Sequence, residues 1–242
     1  VEASIETSHE IGSAREEGFA LFARSELHLS AGQLDGAAAD AERGTSIFVD
    51  LGLARGELVG HNVSNDAASE SWSLGAIVEH AERASLISRD LSGTFQRSIA
   101  LSYAAWAALV NGHRGQAEEL LDEARSLDGA FLTIGWAGRA EVLLWEWAGD
   151  PEALERIGTR LSGLVLPTNA FWGAWGPYAR GLSALLRGRH EEALDHAATA
   201  LRAASSVRER RLRWRSASLA ARALEAIGRP DDARSLREDA AV

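Results

Sequence analysis

Apolar segments and small turn residues alternate along this chain with a period of roughly forty residues. Each copy is marked by one turn residue, and these are Gly32, Trp72, Gly112, Gly149, Gly188 and Gly228. The turn positions are separated by 40, 40, 37, 39 and 40 residues. Six copies at so regular a spacing predict helix-turn-helix repeats stacked into an all-α solenoid, with about twelve main helices.

Each turn residue ends one predicted helix and precedes the next. Glycine at this place accepts the left-handed conformation that closes a helix. Asp150 is predicted to cap the helix that begins at Pro151, where the missing N–H of proline costs little. Mostly small residues lie seven before each turn and five after it, which lets paired helices approach closely. They are Ser25, Asn65, Ala105, Val142, Gly181 and Ala221, then Ala37, Ile77, Ala117, Leu154, Ala193 and Ala233.

A second feature recurs between the copies. The segment Ile11-Gly12-Ser13-Ala14-Arg15 returns forty residues later as Leu51-Gly52-Leu53-Ala54-Arg55, followed by Gly56-Glu57. These segments are predicted to be loops between repeats, so residues 1–12 are expected to be the tail of a truncated preceding repeat. We therefore expect residues 1–242 to form a single array.

This pattern resembles tetratricopeptide (TPR) repeats, whose usual period is about 34 residues. The longer period, the Ala-rich second helices and the Leu51–Glu57 loop resemble the superhelical regions of large ATP-binding LuxR-type transcriptional regulators, which are maltose-activator-like proteins. The resemblance covers essentially the whole chain and implies a right-handed superhelix that senses an effector. It also implies an ATPase module and a DNA-binding domain as partners, both expected outside this segment. No Gly-x-x-x-x-Gly-Lys phosphate loop is present, because the sequence contains no lysine.

Composition narrows the range of partners. The net charge of -10 argues against direct binding of nucleic acid through its phosphates. No apolar run approaches the roughly 18 residues of a membrane span, and the first residues do not resemble a signal peptide. We therefore expect a cytoplasmic protein that contacts neither membrane nor nucleic acid. The absence of cysteine excludes disulfides and thiolate metal sites.

No catalytic constellation is visible in the sequence, so we expect no enzyme and no cofactor. His190 and His196 come nearest to a metal motif, but their spacing does not place both on one ligand face, so we predict no metal site. The segment from Arg208 to Arg215 is the only dense basic stretch. It is interpreted as a solvated loop and helix start that pairs with a neighbouring repeat, with stacking of nucleic acid on Trp214 as the alternative.

Tryptophan is unusually frequent, and six of the eight fall at positions 106, 136, 145, 147, 172 and 175. Trp145 is interpreted as packing against its partner helix. In TPR-like stacks the first helix of each pair lines the concave groove, and helical periodicity places residues 13, 10 and 6 before the turn on that face. These are Phe19, Phe22 and Glu26; Val59, Asn62 and Asp66; Ile99, Ser102 and Trp106; Trp136, Arg139 and Leu143; Trp175, Tyr178 and Leu182; and Arg215, Ser218 and Arg222.

The predicted binding site lies in the middle of this groove. Its centre is formed by Trp106, Trp136, Arg139, Trp175 and Tyr178, with Asn62 and Asp66 on the rim. The alternative is that the aromatic residues only fill space between helices. Arg139 distinguishes the two, because a buried arginine needs either a protein carboxylate or an anionic or hydroxyl-rich ligand. Helix breakers between residues 163 and 177 allow a second alternative, in which the first helix of the fifth repeat begins late, near Pro177, or is kinked. In that case Trp172 and Trp175 lie on a loop at the edge of the groove.

Two functions fit these features. The first is an effector-sensing domain of a bacterial transcriptional regulator, which binds a small molecule or peptide in the groove and transmits the signal through superhelix curvature. The second is a protein-interaction scaffold that uses no small ligand.

Overall fold

The protein is all-helical in a computed structural model that describes residues 1–91, 93–127, 131–163, 174–206 and 210–241. These ranges contain thirteen α-helices and no strand. The helices are α1 (Glu2–Glu10), α2 (Ala14–Ser30), α3 (Leu34–Asp50), α4 (Ala54–Glu70), α5 (Leu74–Arg89), α6 (Thr94–Val110), α7 (Arg114–Ser126), α8 (Phe131–Ala148), α9 (Pro151–Ser162), α10 (Trp175–Leu186), α11 (His190–Ser206), α12 (Arg210–Ala226) and α13 (Pro230–Ala241). The predicted all-α class is confirmed.

The predicted turn residues lie between consecutive helices and have the left-handed conformation. The five turn glycines have φ between 65° and 81°. Trp72 has φ of 55° and is the only non-glycine residue with positive φ in the described chain. The predicted cap at Asp150 is also confirmed, because its Oδ1 accepts a hydrogen bond of 2.9 Å from the backbone N–H of Ala153. The recurring turn residues therefore determine where one helix ends and the next begins.

The small residues around each turn lie in the helix interfaces. All twelve positions predicted for close approach are buried. Ser25 shows how near the paired helices come, because its hydroxyl on α2 donates to the carbonyl of Ala37 on α3 at 2.7 Å. The closest approach surrounds Phe48, whose ring would lie 2.0 Å from a Cβ placed on Gly56 of α4. The large ring of Phe48 is thus accommodated because the facing residue on the neighbouring helix is a glycine, which has no side chain.

The chain forms two compact units, Val1–Ala140 and Glu141–Val242, with the boundary inside α8. In the first unit consecutive helices from α1 to α7 pack on one another, and α4 also contacts both α2 and α6. In the second unit helices α9 to α13 pack in the same sequential order, and α10 also contacts α12. Each unit thus packs its helices as an α-solenoid does. No helix in the described ranges is long and apolar enough to cross a membrane.

Of the segment 163–177, which the sequence predicts to be irregular, the structure describes residue 163 and residues 174–177. Helix α10 begins at Trp175, and Pro177 stands in its first turn, where proline is tolerated. The helix therefore begins near Pro177, as the alternative of a late or kinked helix predicts, but Trp175 is its first residue and does not lie on a loop. Trp172 lies outside the described residues.

Candidate functional site

The first unit contains a pocket of about 230 Å³ on the side of its alternate helices α2, α4, α6 and α8. It is lined by Phe22, Ala23 and Glu26 of α2, Val59, Asn62, Val63 and Asp66 of α4, Phe95, Gln96 and Ile99 of α6, and Trp136 of α8. Seven of these residues occupy the positions 13, 10 or 6 before a turn that helical phase placed on the concave face. Of the eleven, only Ala23 is exposed. Four alternate helices thus contribute to the lining of one pocket.

The lining combines aromatic and apolar side chains with a few polar groups. Phe22 and Ile99 are buried, and Phe95 and Trp136 are half-buried. Apolar walls with a small number of placed polar groups are typical of small-molecule pockets. Larger depressions of about 540 and 530 Å³ lie along α5 and its neighbours, but mostly exposed side chains line them. The smaller pocket is therefore the better candidate site.

Asn62 places a buried acceptor in the pocket wall. Its Nδ2 donates to the backbone carbonyl of Gln96 at 3.0 Å and to Oε1 of Gln96 at 2.8 Å. Because a carbonyl can only accept, this contact fixes which end of the amide is nitrogen. Oδ1 of Asn62 has no hydrogen-bonding partner, although the residue is only 3% exposed. The amide therefore keeps one buried acceptor without a partner.

Asp66 joins three helices at the end of the pocket. Its Oδ1 accepts a hydrogen bond from the hydroxyl of Tyr103 on α6 and forms an ion pair with Nη2 of Arg139 on α8. Asp66 is 3% exposed, and Tyr103 and Arg139 are fully buried. Burial, followed by the charge of Asp66, raises the pKa of Tyr103 well above its ordinary value, so the hydroxyl remains a donor.

Arg139 keeps its charge in this environment. Burial alone would lower its pKa, but the carboxylates of Asp66, Glu26 and Glu70 outweigh that effect and raise the pKa. The guanidinium carbon also lies 4.9 Å from the ring centroid of Trp136, a distance suited to a cation–π interaction. Asp66 is the protein carboxylate considered from the sequence, whereas Nε and Nη1 of Arg139 are buried without a hydrogen-bonding partner in the described chain.

Trp106 lies apart from the pocket lining. It is fully buried, stacks on Tyr103 with ring centroids 6.3 Å apart, and meets the edge of Trp72 at 6.0 Å. It therefore supports the ring whose hydroxyl binds Asp66. Its predicted contact with a ligand stays a prediction.

Trp175 and Tyr178 belong to the second unit and are both buried there. Their rings meet edge to face at 5.8 Å. The hydroxyl of Tyr178 donates to Oε1 of Glu146 at 2.8 Å, and Nη1 of Arg215 lies 3.1 Å from Oε2 of the same carboxylate. Burial, followed by the charge of Glu146, raises the pKa of Tyr178 well above its ordinary value. Trp145 is buried as interpreted, with Nε1 3.4 Å from Glu141.

The basic stretch is helical from Arg210 onward, and residues 207–209 lie outside the described part. Trp214 is 59% exposed, whereas Arg215 is buried and paired with Glu146. Arg215 therefore does form an ion pair, but it pairs with α8, two predicted repeats earlier and not in the neighbouring one, and it is buried where the sequence predicted a solvated side chain.

The sequence analysis missed Ala23, Val63, Phe95 and Gln96 of the pocket lining, and Tyr103 beside it. Phe95 and Gln96 lie 17 and 16 residues before their turn, one helical turn earlier than the positions considered. Tyr103 is nine before its turn, next to a position that was considered. The available signal for Tyr103 was that three predicted first helices in succession each carry a side chain able to pair with the others. These side chains are the carboxylate of Asp66, the hydroxyl of Tyr103 and the guanidinium of Arg139.

A second cluster lies on α4 and α5, where Nδ1 of His61 is 3.2 Å from Nδ1 of His80. Burial, and next the charge of His80, lowers the pKa of His61 to about 4. No group of three or more potential metal-binding side chains was found among the described residues.

The chain was also compared with known proteins. No protein-family model and no curated protein sequence matches it.

Proposed function

We propose that this chain is the effector-sensing domain of a bacterial transcriptional regulator. In this proposal its helices form six TPR-like repeats in a right-handed superhelix, as in the LuxR-type regulators that the repeat pattern resembles. The effector is a small molecule or peptide bound on the concave face. ATPase and DNA-binding modules elsewhere in the parent protein would receive the signal.

The single observation that carries this proposal is the pocket formed by α2, α4, α6 and α8. Its volume of about 230 Å³ lies below the roughly 300–1,000 Å³ typical of drug-sized ligands, so its size favours a small effector. A functional pocket needs polar groups that orient the ligand, and Glu26, Asn62 and Gln96 are polar residues of this lining.

The position of the pocket also supports a sensing role. A ligand there touches four helices that are separated in sequence by whole repeats. In a stacked array each repeat contacts its neighbours, so a ligand that favours one spacing of these helices shifts the curvature. The effect is limited by the difference between the ligand's affinities for the two curvatures.

Blocking the pocket tests the proposal. Val63 is half-buried in the pocket wall, and Val78 is half-buried on α5 outside it. A library of anionic, neutral and cationic metabolites is screened by thermal shift against the chain, Val63→Trp and the matched control Val78→Trp. A true effector raises the melting temperature of the chain and of Val78→Trp, but not of Val63→Trp. The absence of any hit with this dependence would exclude a small-molecule sensor.

The scaffold is the alternative, and one observation favours it. Val49 and Leu86 are 51% and 53% exposed and line the groove of about 530 Å³ along α3, α4 and α5. Exposed apolar side chains in a groove are typical of protein interaction surfaces. Replacing both with Ser should abolish binding of a protein partner while leaving pocket ligands unaffected.

A further inference from the structure

Two histidines from different helices face each other in the first unit, and neither lines the pocket of the proposed function. Nδ1 of His61 on α4 is 3.2 Å from Nδ1 of His80 on α5. The two residues are 19 apart in sequence, so it is the packing of α5 on α4 that brings their rings together. Spacing along the sequence therefore did not indicate this pair.

The separation of the two nitrogens matches that of two ligands of one metal ion. Imidazole nitrogens bind zinc at about 2.0–2.1 Å, so two of them in tetrahedral geometry lie about 3.3–3.4 Å apart. Binding of an ion by both rings therefore requires the two nitrogens to separate by only about 0.1–0.2 Å. At neutral pH both rings are uncharged, because burial lowers the pKa of each, and the uncharged ring is the form that binds metal.

Glu57 orients the ring of His61 for this role. Its Oε1 lies 3.8 Å from Nε2 of His61, and the negative charge there favours the tautomer with its proton on Nε2. A carboxylate beside the outer nitrogen is common where histidine binds metal. Nδ1 of His61 then accepts a hydrogen bond from Nδ1 of His80 in the metal-free pair. Metal binding moves that proton through solvent to Nε2 of His80 and releases none.

The surroundings of the pair favour a cation. The carboxylates of Glu42, Glu57 and Glu79 act on the two rings, and the guanidinium of Arg83 opposes them. Nη2 of Arg83 is paired with Glu57 at 2.7 Å, and its side chain is 51% exposed, so solvent screens its charge.

Both rings also border the surface. His61 lines the depression of about 530 Å³ along α3, α4 and α5, and His80 lines another of about 300 Å³. Water from these depressions can fill the coordination positions that the two imidazoles leave open.

We propose that His61 and His80 bind one divalent transition-metal ion through their Nδ1 atoms, with water in the remaining positions. Imidazole ligands suit Zn²⁺, Ni²⁺ and Cu²⁺, whereas Mg²⁺ and Ca²⁺ prefer oxygen ligands. The bound ion holds α4 against α5. This site is separate from the effector pocket, so the two proposals stand or fall independently.

Isothermal titration calorimetry on the full chain without an affinity tag tests the site, with ZnCl₂ as the probe and MgCl₂ as the comparison. One Zn²⁺ should bind per chain, and Mg²⁺ should not bind. His61→Gln and His80→Gln should each weaken Zn²⁺ binding by at least about 10–100-fold, since loss of even a group that supports a ligand has an effect of this size. Glu57→Gln should weaken it by about tenfold. His113→Gln, at an exposed position before α7, is the matched control and should change nothing.

Nuclear magnetic resonance identifies the ligand atoms without any variant. In long-range ¹H–¹⁵N spectra of the unaltered chain, Zn²⁺ should shift the Nδ1 resonances of both His61 and His80. The ring resonances of the exposed His113 should stay in place. This measurement decides the question even if a substitution prevents folding.

Four results would overturn the metal site. They are the absence of Zn²⁺ binding, equal affinity for Mg²⁺, unchanged Zn²⁺ affinity in both histidine variants, and a shift of only one of the two Nδ1 resonances. Thermal-shift hits that depend on Val63 are unaffected by any of these results, so the sensing function is judged separately.

Discussion

Each of the two units contains a network of one carboxylate, one tyrosine and one arginine. Asp66, Tyr103 and Arg139 form it in the first unit, and Glu146, Tyr178 and Arg215 in the second, in the same order along the chain. The carboxylate side chains differ in exposure, which is 4% for Asp66 and 19% for Glu146. The same set of interactions is therefore shielded from solvent in the first unit and partly exposed in the second. The loss of stability on disrupting it should differ between the units.

The largest effect is expected for Arg139→Ala. It leaves the buried Asp66 without its counter-ion, and removal of one partner of a buried pair costs about 3–5 kcal/mol. Urea unfolding should show this loss against a total stability of about 5–15 kcal/mol. Titration of the same variant with an effector identified by thermal shift measures its role in binding. A well-folded variant with lost binding would instead assign Arg139 to the ligand.

Arg215→Ala should cost less, about 1.5–3 kcal/mol, because water can reach the exposed part of Glu146. Urea unfolding under identical conditions gives the comparison with Arg139→Ala directly. Equal losses in the two variants would show that the difference in exposure does not govern the energetics.

The tyrosine hydroxyls provide a gentler test. Tyr103→Phe should cost about 1–3 kcal/mol, since it leaves a buried carboxylate short of a donor. Tyr178→Phe should cost about 0.5–1.5 kcal/mol, because solvent can replace the hydroxyl at Glu146. The midpoints of denaturant unfolding measure both, and a reversed order would contradict the assignment of the drier network to the first unit.

Alkaline titration examines both networks together, because these are the only two tyrosines in the chain. The pKa of each is raised in the folded state, so the unfolded chain loses these protons first. The contribution to stability is complete below pH 10 and is lost as the pH rises further. Tyrosinate absorbance should therefore stay low in the folded protein near pH 10. The two Phe variants show which tyrosine ionises at a given pH. A tyrosine that ionises at its ordinary pKa would show that solvent reaches its network.

A further effect is expected at the acid end. The pKa of His61 is lowered from 6.5 to about 4, so between these values the unfolded chain binds a proton that the folded chain does not. Stability should fall as the pH decreases through this window. His61→Gln should flatten the dependence of melting temperature on pH between 6.5 and 4, with His9→Gln, at an exposed position on α1, as the control. An unchanged pH profile would remove His61 from the cause.

More of the fold than of the candidate site could be predicted from the sequence. Gly32 and its counterparts mark helix ends through a local conformational need, so their spacing alone gave the helices and turns. Helical phase also selected residues that line the pocket, such as Phe22, Asn62 and Trp136. It could not show that Asp66 meets Tyr103 and Arg139, because that contact depends on how three helices from different repeats are placed. Nor could it show that Trp106 packs beneath Tyr103.

Trp72 occupies a left-handed turn position at which the other five turns have glycine, so this position bears on which substitutions the fold tolerates. The conformation costs a residue with a Cβ about 1–2 kcal/mol, while an edge-to-face contact such as that with Trp106 contributes about 0.5–1.5 kcal/mol. The two effects nearly cancel. Because most of the indole is also buried, exchange of Trp72 for glycine should still destabilise the fold by about 1–2 kcal/mol through lost packing. What such an exchange also alters is the outer surface, where an indole that is 38% exposed is either present or absent.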